Sequence, residues 1–166
     1  LISISYLKDV KKLFQYHGAE HKTVYNFESG QKLEIQNAQQ FPTQHPRCGT
    51  SFVFILMLVT IFSYTILDSI ALLFINELTY LYRIIFHITC LPLIAGVGYE
   101  ILKLLSKNQN NFICKALSKP GLWLQNITTS QPTNEQVEVA IYALQKAFGE
   151  DMQKYQGKKF SADAIG

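Results

Sequence analysis

Two long apolar stretches limit what this chain can fold into. Between Ser51 and Ile75, 25 residues carry one charge, Asp68; between Leu78 and Leu105, 28 residues carry three, Arg83, Glu100 and Lys103. A helix needs about 20 mainly apolar residues to cross a bilayer, so either stretch is long enough. Charged residues make up 16% of the 166-residue chain, against about a quarter in a soluble domain, and the deficit sits in these two segments. The pattern argues against a water-soluble globule. It predicts an all-α membrane protein, a two-span transmembrane helical hairpin with a small, mainly helical cytoplasmic or stromal cap and C-terminal interfacial and amphipathic helices.

Charge sets the expected orientation. Lys8, Lys11, Lys12, Lys22, Lys32 and Arg47 precede the first span, Lys103, Lys107, Lys115 and Lys119 lie at or beyond the end of the second, and the connector of Asn76 and Glu77 has no cation. By the positive-inside rule both termini face the cytoplasm of a bacterium or the stroma of a plastid, so the expected location is a bacterial inner membrane or a thylakoid or envelope membrane. A net charge of +3 without a clustered basic module argues against nucleic acid as a partner. Three cysteines, Cys48, Cys90 and Cys114, are an odd set on or near the reducing side, so no disulfide framework is expected.

The organisation follows from the same pattern. Residues 1–50 form the cap, with an apolar start at 1–7 that reads as the tail of an earlier membrane helix or an interfacial segment, as in a piece of a longer protein. Lys8 to Glu28 is predicted as a helix with Leu13, Phe14, Val24 and Tyr25 on one face and Gly30 as its C-cap. Lys32 to Ile35 suits a short strand, and Asn37 to Phe41 a helical turn closed by Pro42. The hairpin spans 51–105. Residues 106–149 hold an interfacial segment with Trp123 among lysines, then an amphipathic helix. Thr133 and Gln136 give that helix a capping box, its inner face is Val137, Ala140, Ile141, Leu144 and Phe148, and Gly149 closes it. Residues 150–166 read as a loose polar tail.

Chemistry concentrates before the first span. His17, His21 and His45 fall within 29 residues, together with Glu20, and Cys48 follows three residues later. His17-Gly18-Ala19-Glu20-His21 spells H-x-x-E-H, and the i, i+4 spacing puts both imidazoles on one helix face, where they can share a metal ion. Glu20 is then placed as a general base toward a water activated there, as in the inverzincin arrangement. His45-Pro46-Arg47-Cys48 adds a second pair. His17, His21, His45 and Cys48 together are an N3S set suited to tetrahedral zinc, closed and structural if all four bind. A hydrolytic version needs an open position and a more distant carboxylate ligand, for which Glu100, near the cytoplasmic end of the second span, is the candidate. Within the spans, Asp68 is positioned to pair with Arg83 across the hairpin. His87 reads as a core histidine.

Four blocks taken together resemble a known family: Phe14-Gln15-Tyr16-His17-Gly18-Ala19-Glu20-His21-Lys22, His45-Pro46-Arg47-Cys48-Gly49-Thr50-Ser51-Phe52, Leu91-Pro92-Leu93-Ile94-Ala95-Gly96 with Tyr99-Glu100, and Gly121-Leu122-Trp123-Leu124-Gln125 with Thr128-Thr129. They occur in the order found in YqhQ-type membrane proteins of bacteria and plastid lineages, over about residues 8–149. That family is a domain of unknown function, commonly labelled a predicted metal-dependent enzyme. The resemblance implies a metal site at His17, Glu20, His21, His45 and Cys48 and supplies no substrate. Family members usually open with a Gly-rich segment and a membrane helix that this chain does not show, which bears on whether it carries a whole active site.

Two readings of function follow. In the first, the chain is a membrane-embedded metal-dependent hydrolase with zinc on His17 and His21 and Glu20 as base. In the second it is a non-catalytic subunit or assembly factor of a larger membrane complex, in which the His/Cys cluster staples the cap. Membrane lipid is a partner in both.

Overall fold

The computed structural model describes residues 5–75, 77–108 and 110–160, and these contain helices and no strand. In order the helices are α1 (Lys8–Glu28), α2 (Ile35–Gln39), α3 (Gly49–Ala71), α4 (Tyr80–Lys107), α5 (Phe112–Thr128), α6 (Asn134–Phe148) and, after a 3-10 turn at Gly149–Asp151, α7 (Met152–Tyr155). The chain divides into two compact units. One combines the residues up to Cys48 with those from Leu122 onward, and the other is Gly49–Gly121. Sequence order had separated the first fifty residues from the C-terminal helices; contacts join them.

In the first unit α1 packs along α6, with α2 against both. The close approach depends on small side chains, since Ala19 and Ala38 are fully buried beside Val137 and Ile141, with Leu33 and Ile35 at the margin. Of the face expected on α1, Phe14 is buried, whereas Leu13 is exposed. Gly30 follows α1 at φ 74°, a left-handed conformation that costs glycine little. Where a strand was expected over Lys32 to Ile35, the chain is extended only up to Glu34 and Ile35 opens α2. No strand or bridge is formed there among the described residues, so the segment joins no ladder. Lys22 is buried and its Nζ donates to Gln39 O at 2.9 Å and Phe41 O at 2.6 Å, fastening carbonyls that the end of α2 leaves unpaired. Burial pushes its pKa below the usual lysine value.

At the start of α6, Thr133 Oγ1 accepts from Gln136 N at 3.4 Å while Gln136 Oε1 accepts from Thr133 N at 2.8 Å, a reciprocal capping box. The tail is less loose than its polarity suggests. Phe160 stacks on Phe27 at 5.5 Å, Tyr155 contacts both Phe148 and Phe160, and Phe160 N donates to Glu28 O at 2.9 Å. Phe160 thus ties the tail to the end of α1, and Tyr155 ties it to the end of α6. Most of the apolar start at 1–7, and the tail's last residues, 161–166, lie outside the described residues.

The second unit rests on α3 and α4, 23 and 28 residues, which are long and apolar enough to cross a membrane. At about 1.5 Å per residue either exceeds the roughly 30 Å hydrocarbon core. Phe52 meets Tyr99, Leu56 meets Gly98, Tyr64 meets His87 and Asp68 meets Arg83, so the two run antiparallel. Only Ile55, Ile94, Leu102 and Leu105 among their large apolar side chains are buried, and Phe62, Ile66, Leu81, Ile88 and Leu93 stand open on the outside. That surface is compatible with lipid contact and costly in water. Beyond α4, Asn111 Oδ1 accepts from Ile113 N at 2.8 Å and caps α5.

Candidate metal centre

Three segments of the first unit build the site: α1, the loop 43–48 and the C-terminal end of α5. One turn of α1 separates His17 from His21, and their rings meet edge to face with centroids 4.4 Å apart. Their outer nitrogens are fixed in the same way. His17 Nδ1 lies 2.8 Å from Thr128 O, and His21 Nδ1 is hydrogen-bonded to Thr43 O. A carbonyl oxygen can only accept, so both Nδ1 atoms carry a proton, and in the neutral rings both Nε2 atoms keep their lone pair. Carbonyls held against Nδ1 in this way fix the ring orientation of metal-binding histidines. The third donor is Cys48 Sγ, 3.1 Å from His17 Nε2. One donor atom from each of His17, His21 and Cys48 lies within 4.8 Å of the others, so the three can hold a metal ion. Around a tetrahedral ion bonded at about 2.0–2.3 Å, such atoms sit roughly 3.3–3.7 Å apart, within reach of small side-chain rotations.

Electrostatics set a condition on this geometry: a raised pKa favours protonated His17, so a metal ion bound at Nε2 would displace a proton there. The hydrogen bond with Cys48 raises the His17 pKa above its ordinary 6.5, and burial works against it. His21 and Cys48 are 5% and 6% exposed, so a metal ion there would be largely shielded from solvent on their side. Glu20, one residue before His21, is exposed, and its negative charge acts on both His17 and His45.

His45 is held differently. Arg47 N donates to its Nδ1 at 3.3 Å, so the proton is on Nε2, which faces Glu28 Oε2 at 3.4 Å. It is therefore committed to Glu28, which also pairs with Arg47. Its ring stands 5.7 Å from that of His21 and 4.5 Å from that of Tyr25, and it is not among the three converging donors. Burial, with the neighbouring His21 adding to it, holds the His45 pKa down to about 4. Unfolding returns it to about 6.5, so between these values the unfolded chain binds more protons. The stability due to neutral His45 is complete above pH 6.5 and is lost as pH falls toward 4, amounting to about 3 kcal/mol. His17, with a raised value, works in the opposite direction. The expected result for metal-free protein is that His45→Gln flattens the fall of melting temperature between pH 7 and pH 4; an unchanged slope would contradict this account.

The loop carrying Cys48 is fastened from α5. Gln125, fully buried, accepts from His45 N at 2.7 Å through Oε1 and donates to His45 O at 2.8 Å through Nε2, and Gln44 Nε2 donates to Asn126 Oδ1. Glu100 belongs to the second unit, exposed beside Pro92, Gly96 and Val97, and is not part of the cluster. In that unit Asp68 Oδ2 is 3.2 Å from Arg83 Nε, and its Oδ1 is 2.9 Å from His87 Nε2. Tyr64 stacks on the His87 ring at 3.9 Å and donates to His87 O at 2.6 Å. His87 is thus a partner of the Asp68–Arg83 contact.

A family model described as protein of unknown function (DUF1385) matches residues 1–150. The chain belongs to this family. It is 34% identical over 156 residues to the uncharacterized protein YqhQ of Bacillus subtilis (strain 168), an alignment covering 94% of this chain and 46% of that protein. The chain thus spans about half the length of the curated relative it matches. No solved structure matches it.

Residue spacing pointed to His17, His21 and Cys48 because chemistry shows in side-chain type. It missed Thr43 and Thr128, which act through backbone carbonyls that any residue possesses. Gln125 and Thr128 stood in a block that resembles the YqhQ-type proteins, and that was the available signal for them.

Proposed function

We propose that the chain is the membrane-anchored metal-binding part of a zinc-dependent hydrolase working at the cytoplasmic or stromal face, with α3 and α4 as a transmembrane hairpin whose two ends face that side. The observation that carries the metal reading is the pair of Nδ1–H bonds to Thr128 O and Thr43 O, which leaves both Nε2 atoms available beside Cys48 Sγ. Two imidazoles and one thiolate suit zinc better than harder cations. Three protein donors, with His45 engaged by Glu28, leave a fourth position for water and substrate, the pattern of catalytic rather than structural zinc. Such an ion supplies Lewis acidity and lowers the pKa of water beside it.

The chain's own residues do the rest. His17 and His21 are oriented by carbonyls, Cys48 is held by a loop clamped to Gln125, and Glu20 takes up the proton of the attacking water from the exposed side of α1. The lysines flanking both long helices and the uncharged or acidic connector support the orientation. The test is metal analysis of protein purified from membranes, then Glu20→Gln assayed on ester, amide and phosphoester panels. About one zinc per chain in both, with turnover lost in the variant, is the expected outcome; no bound metal in the native protein overturns the proposal.

The deep burial of His21 and Cys48 favours a second reading, a structural centre in a subunit of a larger membrane complex. There Glu20→Gln would be silent, while Cys48→Ala would reduce co-purification of the complex.

A further inference from the structure

A groove of 580 Å³ lies in the first unit between the start of α1 and the segment after Leu122, lined by Tyr6, Lys11, Phe14, Trp123, Asn126 and Ser130 among others. Its volume is in the range of small-molecule sites. Its lining divides by chemistry. Tyr6 and Trp123 are 83% and 66% exposed, aromatic surface of the kind that collects at the level of lipid headgroups. Asn126 and Ser130 offer polar groups at one edge, and Lys11 offers a cation.

Charge near the groove is positive on balance. Lys8, Lys11 and Lys12 are exposed within the first two turns of α1, and none makes an ion pair among the described residues. Asp9 offsets one of the three. Leu7, the N-cap of α1, makes no side-chain cap, and the helix dipole adds positive potential at the same end. A cationic helix start beside an aromatic, partly apolar groove matches a molecule with an anionic head and an apolar body.

We propose that this groove binds the headgroup and upper acyl chain of an anionic membrane lipid, with Lys11 facing the anionic group and Trp123 and Phe14 against the glycerol and chain. The inference rests on the membrane reading and is independent of whether the metal centre is catalytic. The first unit would thereby be docked on the membrane surface by a lipid as well as tethered by the chain into α3. The groove shares the 126–130 segment with the site, because the carbonyl of Thr128 that orients His17 lies between Asn126 and Ser130.

Trp123 is the only tryptophan in the chain, which makes it a reporter inside the proposed site. The full chain, reconstituted in phosphatidylcholine nanodiscs, is titrated with brominated phosphatidylglycerol or brominated phosphatidylcholine at equal mole fraction. The expected result is about threefold stronger quenching of Trp123 by the anionic lipid, falling to parity in Lys11→Gln, a substitution at an exposed position. Equal quenching by both lipids overturns the proposal, since Trp123 would then simply lie in the interface. Absence of quenching by either overturns it together with lipid contact at this face. If inorganic phosphate at millimolar concentration removes the anionic preference, the groove is a free-anion site and the lipid proposal fails. Failure of the membrane reading itself would show earlier, as chain that does not incorporate into the nanodiscs.

Discussion

Cys48→Ala is expected to reduce zinc content from about one per chain to near zero, and to weaken zinc affinity at least a hundredfold or so. Removing even an outer-shell hydrogen bond costs about 10–100-fold in metal affinity, and Cys48 would be one of three direct donors. Its Sγ is the atom that faces His17 Nε2 at 3.1 Å. Without it, two imidazoles one helical turn apart remain, a set too small for a stable site in water. The measurement is metal analysis after dialysis, with a chromophoric chelator as competitor. A variant retaining one zinc with unchanged affinity would show that Cys48 is not a ligand. His45→Gln is the informative contrast: because His45 is engaged by Glu28 and Arg47, it should keep its zinc.

Gly18→Ala is expected to cost about 2–3 kcal/mol of stability in the first unit, as an overpacked site with little room to adjust. A Cβ at position 18 would overlap Ser130 O and sit 3.2 Å from Thr43 Cγ2. Ser130 cannot retreat cheaply, because its N–H donates to Phe14 O at 2.9 Å one turn earlier on α1. The overlap would also push on both segments whose carbonyls orient the site, since Thr128 precedes Ser130 and Thr43 O receives His21 Nδ1. Zinc affinity should therefore fall about 10–100-fold along with the melting temperature. Gly49→Ala serves as control, because nothing lies within 4 Å of a Cβ there. Equal melting temperatures for the two variants would mean that the close approach at Gly18 does not constrain the fold.

The two long helices were legible because a run of apolar residues of sufficient length has few alternatives. α1 was legible with its ends, since Lys8 opens it and Gly30 follows it at positive φ. The capping box at Thr133 is a local device, complete within four residues, and local devices are readable in one dimension. The extended segment before Ile35 was harder. Leu33 and Ile35 have strand propensity, but a strand needs a partner, and whether one exists is decided elsewhere in the chain. The tail misled for a similar reason: its charges are visible in sequence, whereas the pairing of Tyr155 and Phe160 with Phe27 and Phe148 is not.

The sequence by itself determined a mainly helical chain with two segments apolar enough for a membrane, and it placed His17 and His21 on one helix face with Cys48 not far away. Periodicity and side-chain chemistry carry that information, and both are local. Tertiary structure decided which donors converge. The approach of residues 128–130 to α1, permitted by Gly18, delivers the Thr128 carbonyl to His17, and the clamp of Gln125 on the backbone of His45 holds the loop that presents Cys48. The same loop turns His45 toward Glu28. Backbone carbonyls have no residue type, and a histidine's two nitrogens are told apart only by what each one meets. Which of these side chains come together therefore lay in packing, which spacing along the chain does not specify.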